Sequence, residues 1–259
     1  MKTLTPAERL IVAADFRPKD SRLYIPTDGR KDHWREEVRG KVLAFADSLN
    51  GTGVYLKVNS ALRAVGYDLI DEIHSCGLRV FADLKLFDIG NTLADDGVLL
   101  EEAKPEILTT VCTAGVAAMQ ALKAQLSHTE VLGITVLTSL KDSDTKAMFT
   151  CSTEEAVMRF AQVAADAKIH GLISSPKEVE VLRAKFGVVL SLNTPAIRPK
   201  WAVVPGDDQN PERSMTAAEA IKAGADRIVV GRPITKPPQG MSSRDAVMRT
   251  IEEISSAMA

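Results

Sequence analysis

Three charged residues stand close together in the run ADLKLFDIGNT, residues 82–92: Asp83, Lys85 and Asp88. Carboxylates beside an ammonium group have two readings. They can neutralise one another as a structural ion-pair network, or they can be put to use on a substrate. The local pattern bears on the choice. A strand turns successive side chains to opposite faces, so Phe81, Asp83 and Lys85 share one face, while Val80, Ala82, Leu84 and Leu86 share the other. The same rule applied to VYLKVN, residues 54–59, puts Tyr55, Lys57 and Asn59 on one face. Lys57 thereby joins Asp83, Lys85 and Asp88 in a near-neutral quartet. Gly90, Asn91 and Thr92 follow as a turn and a predicted N-cap for the next helix.

Such a set needs a scaffold that turns its face inward. Apolar runs suited to strands occur at 10–15, 54–59, 78–83, 105–112, 131–137, 171–175, 187–193 and 227–231. Between them, helical spacing predicts helices at about 34–49, 61–75, 92–104, 115–126, 153–167, 176–185, 216–223 and 243–257. Strand-helix units repeating to the end of a 259-residue chain, with no low-complexity linker, predict a single α/β domain over residues 1–259. The expected fold is a (β/α)8 TIM barrel of eight parallel strands inside a ring of helices, with an open doubly wound sheet as the runner-up.

In a barrel, residues that do chemistry lie at the C-terminal ends of strands. Polar residues gather there: Asp15 after the first strand, Lys57 near the end of the second, Asp83 and Lys85 on the third. Thr138 follows the fifth and Arg232 the eighth. A charge pointing into the barrel mouth is costly unless paired or used, and position at strand ends favours a site over an incidental ion-pair network. Two βα connections exceed the usual 2 to 6 residues. Residues 198–213, rich in Pro, Gly and charge, are expected to form a lid; residues 16–33 are expected to be solvated decoration.

Composition narrows the partners. A formal charge of −2 suggests neither nucleic acid nor an anionic membrane, although a local basic pocket for a small anion fits within it. Cys76, Cys112 and Cys151 lie far apart without metal-ligand spacing, which argues against a disulfide framework or a zinc site. The apolar run 10–14 is too short for a signal peptide or a membrane span. A soluble, cytoplasmic protein is expected.

The run ADLKLFDIGNT is similar to the DxKxxDIPNT signature of orotidine 5′-phosphate decarboxylases. Further marks of that family follow in order: LTSL (137–140), TPAIRP (194–199), DDQ (207–209) and VVGRPIT (229–235). The resemblance implies release of CO2 from carbon 6 of orotidine 5′-monophosphate to give UMP, the final step of de novo pyrimidine nucleotide synthesis, without metal or organic cofactor. It implies that Lys85 donates a proton to that carbon, that Asp83 lies beside the departing carboxylate, that Lys57 holds Asp83 ionised, and that Asp88 completes the array. Gly231 and Arg232 would grip the 5′-phosphate, and Arg198 and Gln209 would close over phosphate and base. Asp15 would accept from a ribose hydroxyl, Thr138 and Ser139 would meet the pyrimidine, and Asn91 and Pro195 belong to the same substrate-binding motifs. Asp88 and Thr92 would reach a ribose in the neighbouring subunit's site, which implies a homodimer with shared active sites. The chain departs from the family pattern at Gly90, usually proline, at Ala196 and Asn59, usually glycine, and at Cys112, often histidine.

Two other classes compete. Magnesium-dependent sugar-phosphate decarboxylases and aldolases share the barrel and the DxKxxD run, but place an acidic residue where Lys57 stands; an ammonium there would repel a divalent cation. A non-catalytic barrel that binds nucleotide monophosphates is the third reading. Retention of Lys57, Asp83, Lys85 and Asp88 together argues against it.

Overall fold

Eight apolar runs form eight parallel strands that close on themselves in sequence order, each paired with the next and the last with the first. They are β1 (Leu10–Ala13), β2 (Tyr55–Val58), β3 (Arg79–Leu86), β4 (Ile107–Val111), β5 (Glu130–Ile134), β6 (Gly171–Ile173), β7 (Ser191–Thr194) and β8 (Arg227–Val230). The computed structural model describes residues 3–17, 33–202 and 214–258. The expected barrel is the observed one.

Nearly every strand residue is buried on both faces, the signature of a parallel sheet covered by helices. Ile11, Ala13, Tyr55, Phe81, Ile107, Leu132 and Val229 point inward and fill the barrel. Their neighbours Leu10, Val12, Leu56, Val80, Ala82, Leu108 and Ile228 point outward and pack under the helices. Only glycine fits at position 171, because a Cβ there would run into the backbone and hydroxyl of Ser191 on β7.

The N-terminal end of the barrel is closed by charge. Arg227 bonds both Glu130 oxygens at 2.9 and 2.7 Å, and the guanidinium groups of Arg79 and Arg227 lie 4.3 and 5.3 Å from the Tyr55 ring centre. Arg79 is held in turn by Glu8 at 2.8 Å. Conversely, the C-terminal end is where the strands open to a cavity.

The principal outer helices are α1 (His33–Ser48), α2 (Ser60–Val65), α3 (Asp68–Ser75), α4 (Gly90–Ala103), α5 (Val116–Ala124), α6 (Asp142–Phe149) and α7 (Thr153–Asp166). They continue as α8 (Val179–Phe186), α9 (Ala217–Lys222), α10 (Arg232–Thr235) and α11 (Ser243–Met258). The predicted helix 61–75 is two helices, because Gly66 at φ 112 ends the first and redirects the chain. Helices α6 and α10 escape the apolar periodicity: α6 buries only Thr145, and α10 has one turn. The run 187–189 is a turn rather than strand, since Gly187 at φ 55 terminates α8 and leaves Val188 and Val189 exposed. Helix α4 begins at Gly90 with Ile89 at its N-cap, so neither Asn91 nor Thr92 caps it as predicted. Among the described residues no helix is long and apolar enough to cross a membrane.

Candidate active site

Four charged side chains from three neighbouring strands form an alternating chain at the mouth of the barrel. Asp15, just past β1, accepts from the Lys57 ammonium at 3.1 Å. Lys57 on β2 also donates to Asp83 Oδ2 at 3.1 Å, and the Lys85 ammonium lies 2.7 Å from Asp83 Oδ1. The side chains of Lys57 and Asp83 are each 10% exposed, those of Lys85 and Asp15 32% and 59%. The inner pair is therefore largely buried, and the outer two groups are more open to the cavity that all four line.

Burial alone would push the Asp83 carboxyl up, but the charges of Lys57 and Lys85 outweigh it and hold its pKa below the ordinary 3.8. Burial likewise opposes charge on Lys57, yet Asp83 and Asp15 hold it above 10.5. Both groups are charged throughout the neutral range. Within one chain Asp15 occupies the other side of Lys57, while Asp88, expected to act at the neighbouring subunit's site, is not among these contacts.

Strand β3 is irregular where it carries these groups. Its pairing with β4 runs Phe81 to Ile107 and Ala82 to Leu108, then resumes at Leu86 with Thr110. Asp83, Leu84 and Lys85 therefore oppose Thr109 alone, an insertion that bends the strand and re-aims its side chains. Lys85 sits at φ 52. A left-handed conformation in a non-glycine residue costs on the order of 1–3 kcal/mol and persists only where its surroundings enforce it. Here the enforcement is visible: the Lys85 amide donates to Thr109 Oγ1 at 3.0 Å, and the same hydroxyl donates to Asp83 Oδ1 at 3.0 Å. Sequence reasoning passed over Thr109. Strand alternation from Ile107 would have put it on the inward face, but nothing local marks it as opposite Asp83.

The cavity above the array has a volume of about 1180 Å³ and is lined by Asp15, Lys57, Asp83 and Lys85 on one side, with Thr138, Pro195, Arg198, Gly231 and Arg232 around the rest. Nine of the predicted site residues thus come together. Ser139 is exposed and does not line the cavity. Asp88, Asn91 and Thr92 are also exposed, on the turn and first residues of α4, and line no part of their own chain's cavity. Asp88 Oδ1 accepts from the Ile89 amide at 2.7 Å. Gln209, and most of the loops 16–33 and 198–213, lie outside the described residues. At the foot of the second loop the Arg198 amide donates to the Met215 carbonyl at 2.8 Å, so the two flanks of that excursion are joined.

Comparison with known proteins decides among barrels that carry such an array. The family model for orotidine 5′-phosphate decarboxylase / HUMPS matches residues 8–242. The chain belongs to this family. It is 36% identical over 221 residues to the orotidine 5′-phosphate decarboxylase of Syntrophus aciditrophicus (strain SB), covering 81% of this chain and 87% of that relative. With the orotidine 5′-phosphate decarboxylase of Saccharophagus degradans it shares 32% identity over 260 residues, 98% of this chain and 96% of the relative. The crystal structure of the Lactobacillus acidophilus orotidine 5′-phosphate decarboxylase superposes with a TM-score of 0.74 at 25% identity, covering 95% of this chain and 99% of that one.

The departures from the family's usual residues have distinct physical settings. Ala196, in place of glycine, is held at φ 63 beside the cavity, a left-handed position that costs an alanine roughly 1–2 kcal/mol. Asn59, in place of glycine, adds a carboxamide whose Nδ2 lies 3.5 Å from Asp83 Oδ2. Cys112 is buried in the outer core, and burial pushes its thiol up to about 12, which keeps it protonated and inert. Gly90 is the first residue of α4, and a Cβ there would meet only ordinary contacts with Ala121 and Ala118. No backbone geometry demands a glycine at that position.

Proposed function

We propose that this protein decarboxylates orotidine 5′-monophosphate to UMP and CO2, the final step of de novo pyrimidine nucleotide synthesis, using Lys57, Asp83, Lys85 and Asp88 and neither metal nor organic cofactor. The observation that carries this reading is Lys57 on Asp83. In the metal-dependent branch of such barrels an acidic residue at the end of β2 would share a divalent cation with the β3 aspartate. Here that place holds an ammonium 3.1 Å from the carboxylate, whose other oxygen is engaged by Lys85 and Thr109. A divalent cation would have to displace two lysines.

In the reaction the bond from carbon 6 to the carboxylate breaks, CO2 leaves, and the electron pair stays on carbon 6. The Lys85 ammonium, at the cavity edge of the array, supplies the proton that completes the new C–H bond and is the nearest positive charge while the pair develops. Asp83 repels the substrate carboxylate in the ground state. Two like charges about 4 Å apart interact by about 4 kcal/mol at an effective dielectric of about 20, roughly three powers of ten in rate. A difficult decarboxylation needs far more, so charge stabilisation by Lys85 and binding energy from the remote phosphate carry the larger share.

For the phosphate, Gly231 and Arg232 follow β8, where barrels of this kind hold anions. Arg198 and Gln209 close over phosphate and base, Asp15 accepts from a ribose hydroxyl, Thr138 and Ser139 meet the pyrimidine, and Asn91 and Pro195 complete the pocket. Asp88 and Thr92 act on the neighbouring subunit's ribose in a homodimer of paired barrels. The exposure of Phe87 (65%) and Ile89 (70%) on either side of Asp88 supports this, since such apolar groups call for a covering partner. The chain functions as one barrel domain in the cytoplasm. The test is loss of orotidine monophosphate absorbance with and without EDTA, for wild type and Lys85→Ala. EDTA-resistant turnover abolished by Lys85→Ala is expected; turnover unaffected by that substitution overturns the mechanism.

A further inference from the structure

We infer that Thr109 is a positioning residue for this reaction: through one hydroxyl it sets both the orientation of the Asp83 carboxylate and the backbone turn that aims Lys85. The inference rests on the decarboxylase reading above and adds a residue to it.

A threonine hydroxyl has one proton to give and lone pairs to receive. At Thr109 both capacities are spent on the array. The proton goes to Asp83 Oδ1 at 3.0 Å, the oxygen that also meets the Lys85 ammonium at 2.7 Å, and a lone pair takes the Lys85 amide at 3.0 Å. The second bond stands in for a ladder partner. Three residues of β3 oppose this single residue of β4, so Lys85 has no carbonyl in register, and the side-chain oxygen supplies the acceptor. The bulge and the left-handed turn at Lys85 are thereby tied to the same atom that holds the carboxylate. Thr109 is fully buried and does not line the cavity, so it acts through Asp83 and Lys85 and not on substrate.

Its neighbour shows what an ordinary strand threonine does. Thr110 faces outward, and its hydroxyl donates to the Leu86 carbonyl at 2.8 Å, touching neither Asp83 nor the Lys85 amide. The two residues share strand, side-chain type and burial, and differ in what the hydroxyl holds. That makes Thr110→Val an internal control for loss of a buried threonine bond.

The test compares Thr109→Val, Thr109→Ser and Thr110→Val in steady-state turnover of orotidine monophosphate, with circular dichroism confirming the fold. Removing the hydroxyl at 109 is expected to lower kcat on the order of 10²-fold, as a misplaced catalytic group does. KM should stay within about threefold, because the phosphate and ribose grips are untouched. Thr109→Ser keeps the hydroxyl and should hold kcat within about fivefold of wild type, as should Thr110→Val. If Thr109→Val does not fold, Thr109→Ala removes the same hydroxyl without adding bulk, and the serine variant still has to retain turnover. Full kcat in the valine or alanine variant, a serine variant as impaired as they are, or an equal loss in Thr110→Val overturns the inference. Wild-type protein without turnover overturns the decarboxylase reading beneath it, a result distinct from active wild type with equally active Thr109 variants.

Discussion

The ammonium of Lys57 donates to Asp83 Oδ2 across 3.1 Å, with each side chain only 10% exposed. Breaking a largely buried pair from one side leaves a charge without its partner, which typically costs 3–5 kcal/mol. Asp83 keeps Lys85, so the lower end applies. Lys57→Met should destabilise the protein by about 3 kcal/mol in urea denaturation and reduce turnover as Asp83 loses its partner. Adding Asp83→Leu to Lys57→Met should recover much of the stability and none of the activity. Recovery of both would show that the pair serves the fold alone.

A second pair, at the opposite end of the barrel, should write a pH dependence into stability. His74 Nε2 lies 3.1 Å from Glu106 Oε2, and this hydrogen bond, with the charges of Glu106 and Asp71, raises the imidazole pKa above 6.5 against the opposing effect of burial. Burial would raise the Glu106 carboxyl, but His74 and the Val80 amide hold it below 4.5. A raised histidine contributes its stability fully below pH 6.5 and loses it as pH rises through the folded pKa. A lowered carboxyl contributes above pH 4.5 and loses it as pH falls through its own. The stability difference between wild type and His74→Gln should therefore be greatest between about pH 4.5 and 6.5 and shrink on either side. Thermal melts at pH 3.5, 5.5 and 8.5 measure it; a difference that grows toward pH 8.5 contradicts the assignment.

Gly90→Pro should stabilise the protein. Position 90 is the first of α4, where a helix needs no backbone donor, and Ile89 before it sits at φ −66, ψ 160, the extended backbone that a following proline requires. Restricting the unfolded chain at a compatible site is worth about 0.4–1 kcal/mol. A denaturation midpoint that falls instead would mean that the turn carrying Asp88 relies on glycine.

The proposed sharing of active sites makes a prediction about mixtures. Co-expressed Lys85→Ala and Asp88→Asn subunits, each inactive as homodimers, should give hybrids in which one site has Lys85 from its own chain and Asp88 from the other. Random pairing restores on the order of one quarter of wild-type sites. Activity no greater than that of the separate variants would remove Asp88 from the neighbouring site.

Much of this molecule is legible in its local chemistry. Strand-like and helical runs alternating along the chain point to a parallel sheet covered by helices, because each parallel crossover needs its helix; eight such units favour a barrel over an open doubly wound sheet, and the pairing of β8 with β1 closes it. Period-two alternation likewise put Lys57, Asp83 and Lys85 on the inner face and at the right end. Where local signals were weak the reading slipped: α6 has almost no buried face to reveal it, and a single glycine at 66 splits what apolar spacing joins.

Who touches whom was decided by tertiary structure. Asp83 and Asp88 are five residues apart and do not meet within one chain, whereas Asp15 lies 42 positions from Lys57 and pairs with it because β1 and β2 are neighbours. Thr109 reaches Asp83 because β3 slips in register against β4, and a slip of that kind is set by the fit of two whole strands in a closed barrel. Side-chain direction follows from a residue's own strand; partnership depends on the register between strands, and no single segment contains that information.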